Sequence, residues 1–125
     1  MTPRAATALE RLRAIALALP DADEKLSHGM PAFLIRKGRM FAYFWHHHHG
    51  DDVTAAIVKT SGIDEQESLI AMDPDLYFRP AYFGPSGWVG IHLDGADLDW
   101  DRVGDRVAIS WELVAPRRLL EAGGR

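Results

Sequence analysis

Apolar residues recur at helical spacing at both ends of the chain. A helix is predicted over residues 3–19, and Pro20 ends it because proline has no backbone N–H to donate. Its apolar face carries Leu9, Leu12, Ile15, Ala16 and Leu19. A second long helix begins at Asp99, with apolar positions at Trp100, Val103, Val107, Trp111 and Val114. Pro116 ends that helix and begins a short terminal one that reaches Leu120.

The middle of the chain changes to short runs that are apolar and rich in aromatic or β-branched residues, as is typical of strands. The predicted strands are AFLIR (32–36), RMFAYFW (39–45), VTAAIVK (53–59) and WVGIHL (88–93). Lys37-Gly38 suits a tight hairpin turn between the first two strands. The polar insert HHHHGDD falls where the next turn belongs.

The segments between these elements are polar or rich in proline and glycine. Residues 21–31 (DADEKLSHGMP) are predicted to be a connector. Ser61 caps a predicted helix that stops before Pro74, with acidic residues in its first turn, where the helix dipole favours anions. Residues 73–87 (DPDLYFRPAYFGPSG) then form an irregular aromatic loop.

These elements predict an α+β fold in one domain over residues 1–125. Two layers are expected: an antiparallel sheet of four to five strands, with the N- and C-terminal helices on one face. The central strands are apolar at nearly every position. We therefore expect the second face of the sheet to be covered as well, or to form a groove.

Composition excludes several classes of protein. The chain of 125 residues has no cysteine, which excludes disulfides, thiolate metal sites and thiol nucleophiles. No apolar run approaches the ~18 residues of a membrane span. Glu10, Arg11 and Arg13 interrupt the N-terminal apolar run before it reaches signal-peptide length. We expect a soluble cytoplasmic protein with no membrane partner.

Charge is distributed unevenly. The net charge of −4 argues against a broad phosphate-binding surface. However, Arg36, Lys37 and Arg39 lie close together, whereas residues 94–105 are acidic. A local basic patch on an acidic protein is therefore predicted.

Four consecutive histidines, His46 to His49, lie inside the chain, which is not where a purification tag is placed. In extended backbone His46 and His48 point one way, so they and Asp51 or Asp52 could share a cation. A zinc site needs three or four protein ligands, and one face of a turn supplies fewer. We favour the interpretation as a polar turn, and we expect no metal and no other cofactor.

Motifs for catalysis are incomplete. Ser27 and His28 are neighbours, which seldom gives the geometry of a nucleophile and its base. The stretch GPSGW has Trp88 where a nucleophile elbow needs its second glycine. No P-loop or dinucleotide fingerprint occurs. We expect no catalytic residues and no enzyme activity.

Two stretches, SHGMPAF and RPAYFGPSGWVGIHLDG, have their backbone path fixed by prolines and glycines. One interpretation is that their aromatic residues cap the sheet. The other is a groove in which aromatic faces stack a flat ligand while cations hold an anion. The residues of this predicted groove are His28, Lys59, Arg79, Tyr82 and Trp88.

Three segments are similar to a known family: LSHGMPAFLIRKGRMFAYF, DPDLYFRPAYFGPSGWVGIHLDG and DWDRVGDRVAISWELVAPRRLL. Together, and in this order, they resemble the MmcQ/YjbR-like family of small bacterial proteins over nearly the whole chain. The resemblance implies an antiparallel sheet and helices of CyaY-like or secretion-chaperone-like type. It also implies a DNA-binding protein with a double-wing arrangement.

Two hypotheses stay open on the sequence. In the first, the hairpin with Arg36, Lys37 and Arg39 is a wing that binds DNA with modest, salt-sensitive affinity. In the second, the aromatic groove binds a small molecule or a protein, and the chain is an adaptor. A structure that shows whether the basic hairpin and the aromatic loop share one surface would distinguish these hypotheses best.

Overall fold

The structure, a computed structural model, describes residues 1–47 and 50–122. Within them a single sheet of six strands packs with four α-helices. The helices are α1 (Pro3–Leu17), α2 (Ile63–Met72), α3 (Trp100–Val114) and α4 (Arg117–Glu121). The strands are β1 (Ala22–Ser27), β2 (Met30–Ile35), β3 (Met40–His46), β4 (Thr54–Val58), β5 (Tyr77–Phe78) and β6 (Val89–His92). A short 3-10 helix, Gly84–Ser86, lies between β5 and β6.

The sheet is antiparallel throughout, with strand order β1-β2-β3-β4-β6-β5. The α+β class and the antiparallel sheet are confirmed, but the sheet is wider than the four to five strands predicted. The extra strands lie at its two edges. Residues 21–31, predicted to be a connector, contain β1, and the aromatic loop contains β5. Both edge strands lack the apolar pattern of a strand that is buried on both faces.

Two tight turns join the first three strands. Ser27 pairs with Met30, and the two residues between them, His28 and Gly29, have φ of 52° and 80°. Positive φ at both positions is the signature of a type I′ hairpin turn. In the β2–β3 turn the N–H of Gly38 donates to the Ile35 carbonyl at 2.7 Å. The predicted hairpin at Lys37-Gly38 is confirmed.

The main core lies between the sheet and helices α1 and α3. Phe33, Phe44 and Trp111 are among its fully buried side chains. The Trp111 indole N–H donates to the carbonyl of Pro20 at 3.0 Å, so even this polar edge is satisfied. Asp99, where this helix was predicted to begin, is the N-cap of α3 and accepts from the backbone N–H of Asp101 at 3.0 Å.

A second, smaller cluster covers part of the other face of the sheet. Its buried members are Met30, Trp45, Ala55 and Ile57. Five half-buried side chains pack against them: Tyr43, Val53, Phe78, Phe83 and Trp88. The apolar pattern of the central strands is therefore explained, because both faces have side chains over them.

The N-terminus of α2 differs from the prediction. Gly62, not Ser61, is the N-cap, and no side chain caps it. Glu65 instead accepts from the backbone N–H of Ser61 at 2.8 Å, so the third helical residue reaches back to the chain before the helix. The helix ends at Met72, before Pro74 as predicted. In the described part of the chain, no helix has the length and apolar character needed to cross a membrane.

A candidate binding surface at one end of the sheet

The strand register assigns the predicted site residues to the ends of the sheet. Val58 pairs with Ala42 on one side and with Val89 on the other. The end of β4, the start of β3 and the start of β6 therefore lie side by side. We call this the hairpin end; it comprises residues 36–39, Lys59 and residues 79–88. The opposite end, which holds the β1–β2 turn and the β3–β4 connection, is called the histidine end.

The β2–β3 turn carries three cations at the hairpin end. Arg36, Lys37, Gly38 and Arg39 are all exposed. Lys37 has a φ of 61°, and the N–H of Ile35 donates to the carbonyl of Arg39 at 3.1 Å. The turn therefore has a fixed backbone that projects its side chains into water. The pair between Arg36 and Asp23 is long, at 3.9 Å, and exposed, so it contributes little to stability.

Lys59 joins the cations to the aromatic residues. Its Nζ lies 5.8 Å from the centroid of the Trp88 ring, within cation–π range. Its backbone N–H donates to Ser110 Oγ at 2.9 Å, and that hydroxyl donates to the carbonyl of Phe41 at 2.6 Å. The base of the Lys59 side chain is therefore anchored, while its ammonium lies over the indole.

Tyr43, Phe83 and Trp88 form an aromatic cluster on the second face of the sheet. The Tyr43 ring centroid is 4.7 Å from that of Phe83 and 5.6 Å from that of Trp88. The rings are tilted, which favours contact between the edge of one and the face of another. Burial raises the pKa of the Tyr43 hydroxyl. All three side chains are half-buried, so the cluster both covers the sheet and faces solvent.

The loop at residues 79–88 is pinned by a buried glutamine. The Gln66 side chain is fully buried, and its amide nitrogen donates to the carbonyls of Gly84 at 2.9 Å and Trp88 at 2.6 Å. Its amide oxygen accepts from Arg79 Nη1 at 3.0 Å. Thr60 adds a further anchor by donating to the carbonyl of Gly87 at 2.5 Å. The loop is thus held by hydrogen bonds from side chains outside it.

Sequence reasoning missed Gln66. Its only sequence signal is a polar residue on the face of α2 that also carries Leu69 and Ile70, three and four positions later. The hydrogen bonds that Gln66 makes are to backbone carbonyls of a distant loop, and those partners cannot be recognised from residue type.

Tyr82 is the exposed aromatic residue of the pinned loop. Its side chain is 74% exposed, and its backbone φ is 68°. A left-handed conformation is costly for an aromatic residue and persists only where the surroundings impose it. The N–H of Phe83 donates to the carbonyl of Ala81 at 2.8 Å across Tyr82, and this tight turn lies beside the anchored carbonyls of Gly84, Gly87 and Trp88.

The structure brings most of the predicted site residues to one end, with one exception. Arg36, Lys37, Arg39, Lys59, Arg79, Tyr82 and Trp88 all belong to the hairpin end. His28 does not, because it lies in the β1–β2 turn at the histidine end. Its grouping with Lys59 and Trp88 is therefore corrected: its place in the motif is explained by the left-handed backbone of a type I′ turn.

The predicted histidine turn lies between β3 and β4. His46 is the last residue of β3, and its Nδ1 lies 2.8 Å from Thr54 Oγ1 across the strand pair. Burial, and then the charge of the neighbouring His47, lowers the pKa of His46. Asp51 accepts from the Trp45 indole N–H at 2.9 Å and ties the connection to the strand.

The metal question for this segment includes His48 and His49, which lie outside the described residues. Within residues 1–47 and 50–122, no group of three or more histidine, aspartate or glutamate side chains could hold a metal ion. The prediction that His46 to His49 bind no metal stays a prediction, because two of the four histidines are not described.

Acidic residues concentrate away from the hairpin end. A surface cleft at the histidine end is lined by His92, Arg102 and five aspartates, Asp73, Asp75, Asp94, Asp97 and Asp99, and Arg102 pairs with Asp73 at 3.0 Å. Near the hairpin end, three acids have cationic partners: Asp21 pairs with Arg118 at 3.2 Å, Asp23 with Arg36, and Glu65 with Arg106 at 3.4 Å. The fold therefore separates the cations of the hairpin end from the acids of the cleft, although the net charge of the chain is −4.

Comparison with known proteins agrees with this fold. A family model described as YjbR matches residues 17–113. The crystal structure of Deinococcus radiodurans protein DR2400, a DUF419 protein, is similar with a TM-score of 0.70 and 19% sequence identity. The similarity covers 94% of this chain and 88% of that one. Among curated proteins, none matches the chain.

Proposed function

The chain belongs to the YjbR family, and we propose that it is a non-enzymatic protein that binds nucleic acid through the hairpin end. The supporting observation is that the fold places the exposed Lys37 and Arg39 at the same end as Lys59, away from the acidic cleft at the histidine end. The same proposal includes a cytoplasmic location, a bacterial source, a single domain and a fold of CyaY-like type.

The net charge of −4 argues against a broad phosphate-binding surface, but the charge near the β2–β3 turn is positive. Screening at physiological ionic strength limits exposed charges to a reach of about 8 Å. A phosphate at the β2–β3 turn therefore interacts with the nearby cations much more strongly than with acids at the other end of the sheet. Because the cations are few, the proposed affinity is modest and depends steeply on salt.

Three buried hydroxyl groups make structural contacts within the fold. Thr60 and Ser110 are buried, and each donates to a backbone carbonyl, of Gly87 and Phe41 respectively. A nucleophile needs its proton directed at a base. Thr54 and His46 are in contact, but they occupy paired positions of β3 and β4, where such a contact is an ordinary cross-strand pair.

Fluorescence anisotropy with a labelled oligonucleotide at several salt concentrations tests the proposal. The variant Lys37→Ala/Arg39→Ala removes two exposed cations without touching the Arg36–Asp23 pair. Loss of two phosphate contacts should lower the slope of log affinity against log salt by about 2. The control Arg4→Ala/Lys25→Ala removes the same charge from residues outside the hairpin end, and its slope should equal that of the wild type. Equal slopes in the wild type and both variants would reject the site.

A small-molecule or protein adaptor is the second candidate function. The observation that favours it is the partly exposed Trp88 side chain beside the ammonium of Lys59, which suits a flat ligand with an anionic group. Adenosine monophosphate is a suitable probe. Quenching of tryptophan fluorescence in the wild type, and its loss in Trp88→Phe, would support this function, whereas no quenching at millimolar probe would count against it.

A further inference from the structure

The loop at residues 79–88 displays aromatic side chains on a preorganised backbone. Gln66 and Thr60 hold its carbonyls, so the position of Tyr82 does not depend on a ligand. Trp88 is half-buried against the sheet, and Tyr82 is 74% exposed. A rigid display of this kind lowers the entropic cost of binding.

Cations accompany these rings. The ammonium of Lys59 lies over the Trp88 ring at 5.8 Å, and Arg79 is exposed although one of its nitrogens bonds to Gln66. The β2–β3 turn adds Lys37 and Arg39 at the same end of the sheet. The surface therefore offers aromatic faces and phosphate-binding groups together.

This combination distinguishes between forms of nucleic acid. In a duplex the bases stack on each other and present only their edges in the grooves. In a single strand each base has a face available for stacking on an aromatic side chain, which is worth about 5- to 150-fold in affinity for each base. Aromatic rings beside cations thus favour an unpaired strand.

We propose that the hairpin end binds single-stranded nucleic acid in preference to duplex, with a base stacked on Tyr82 and phosphates held by Lys59, Lys37 and Arg39. The inference rests on the proposed nucleic-acid function and adds the class of ligand. Complementarity supports it, because the cations match the backbone charge of the strand and the rings match its bases. The competing ligand is a duplex, in which the β2–β3 hairpin would insert into the major groove as a two-stranded ribbon.

Three labelled probes of equal length test the inference by anisotropy: a single strand, the duplex formed from it, and a single strand with abasic sites. We expect the single strand to bind at least tenfold more tightly than the duplex. The abasic strand should bind more weakly than the intact strand with an unchanged salt slope, because its phosphates are retained.

The variant Tyr82→Asn removes the ring and tolerates the left-handed backbone at this position. It should lower single-strand affinity about 5-fold or more, with the salt slope of the wild type. The variant Tyr82→Phe keeps the ring and should bind as tightly as the wild type. An unchanged thermal melting curve shows that Tyr82→Asn is folded. If Tyr82→Asn melts earlier, the abasic probe with wild-type protein decides the question alone.

The outcomes separate this inference from the proposed function. Duplex affinity equal to or above single-strand affinity overturns the single-strand preference. So does abasic binding equal to intact binding. In either case a lower salt slope in Lys37→Ala/Arg39→Ala still supports nucleic-acid binding. If no probe binds at low salt, the proposed function fails and the inference fails with it.

Discussion

The Nζ atom of Lys59 lies 5.8 Å from the centroid of the Trp88 ring. The two residues are 29 positions apart in the sequence and meet because β4 and β6 are neighbouring strands of the sheet. Their contact joins the charged and aromatic parts of the hairpin end. The strand order places β4 beside β6, and neither Lys59 nor Trp88 indicates that order in the sequence.

Gln66 is predicted to stabilise the loop that carries the aromatic residues. In Gln66→Ala the carbonyl of Trp88 loses the Gln66 donor, Arg79 Nη1 loses its acceptor, and the carbonyl of Gly84 keeps only the N–H of Gly87. We expect the free energy of unfolding to fall by about 1–3 kcal/mol, the usual cost of unsatisfied buried polar groups. Urea denaturation measures it, and the exposed neighbour Glu67 provides a control, since Glu67→Ala should change stability by less than about 0.5 kcal/mol. Equal stability of both variants would contradict the anchoring role.

Two glycines should respond to alanine in opposite directions. A Cβ on Gly90 would lie 2.3 Å from the Phe78 ring, so Gly90→Ala must displace that ring from its stack on His92. Overpacking of this kind costs about 1–3 kcal/mol. A Cβ on Gly104, within α3, meets nothing within 4 Å, and Gly104→Ala should stabilise by about 0.5–1 kcal/mol.

Thermal melts of the two glycine variants, recorded side by side, check this pair. The same melting shift in both variants would mean that Phe78 does not cover Gly90 as the structure shows. The sign of each melting shift decides the test.

Glu65 is predicted to make stability depend on pH in the acidic range. The N–H of Ser61, followed by the charge of Arg106, holds the pKa of Glu65 below its ordinary value of 4.5. Because the folded pKa is lower than the unfolded one, the contribution is fully present above the unfolded pKa. It is lost as pH falls through the folded pKa.

Glu65→Gln isolates this contribution. At pH 7 the variant should unfold at a lower urea concentration than the wild type. The difference should shrink as the pH falls through the unfolded pKa and then through the lower folded pKa of Glu65. A difference that is constant between pH 7 and pH 3 would show that the pairing of Glu65 with Ser61 and Arg106 has no electrostatic component.

The elements with strong apolar periodicity could be predicted from the sequence. Helix α3 begins at its Asp99 cap as expected, and the β2–β3 hairpin turns at Lys37-Gly38. Strand β1 was missed because ADEKLS carries the charged residues that protect a sheet edge and so lacks an apolar alternation. Strand β5 was missed because two residues are too short for any periodic signal.

The residue types of the candidate site could also be predicted, but not which of them share a surface. Lys59, Tyr82 and Trp88 are predicted from aromatic and basic composition. The register places Lys59 and Trp88 at one end of the sheet, and Tyr82 lies in the loop that joins β5 to β6 at that end. His28 was assigned to the same groove on its motif alone, whereas the motif encodes a turn at the opposite end. The separation of the cations at the hairpin end from the acidic cleft could not be predicted either, because it depends on which strand ends lie side by side.

Mapping of the binding surface by NMR tests the central claim most directly. Amide chemical shifts of 15N-labelled protein are followed while an unlabelled single-stranded oligonucleotide is added at low salt. The account predicts that residues 36–39, Lys59 and residues 79–88 shift together, while the β1–β2 turn and the segment after His92 do not. Shifts centred on the β1–β2 turn or on the acidic cleft, with the hairpin end unchanged, would contradict it.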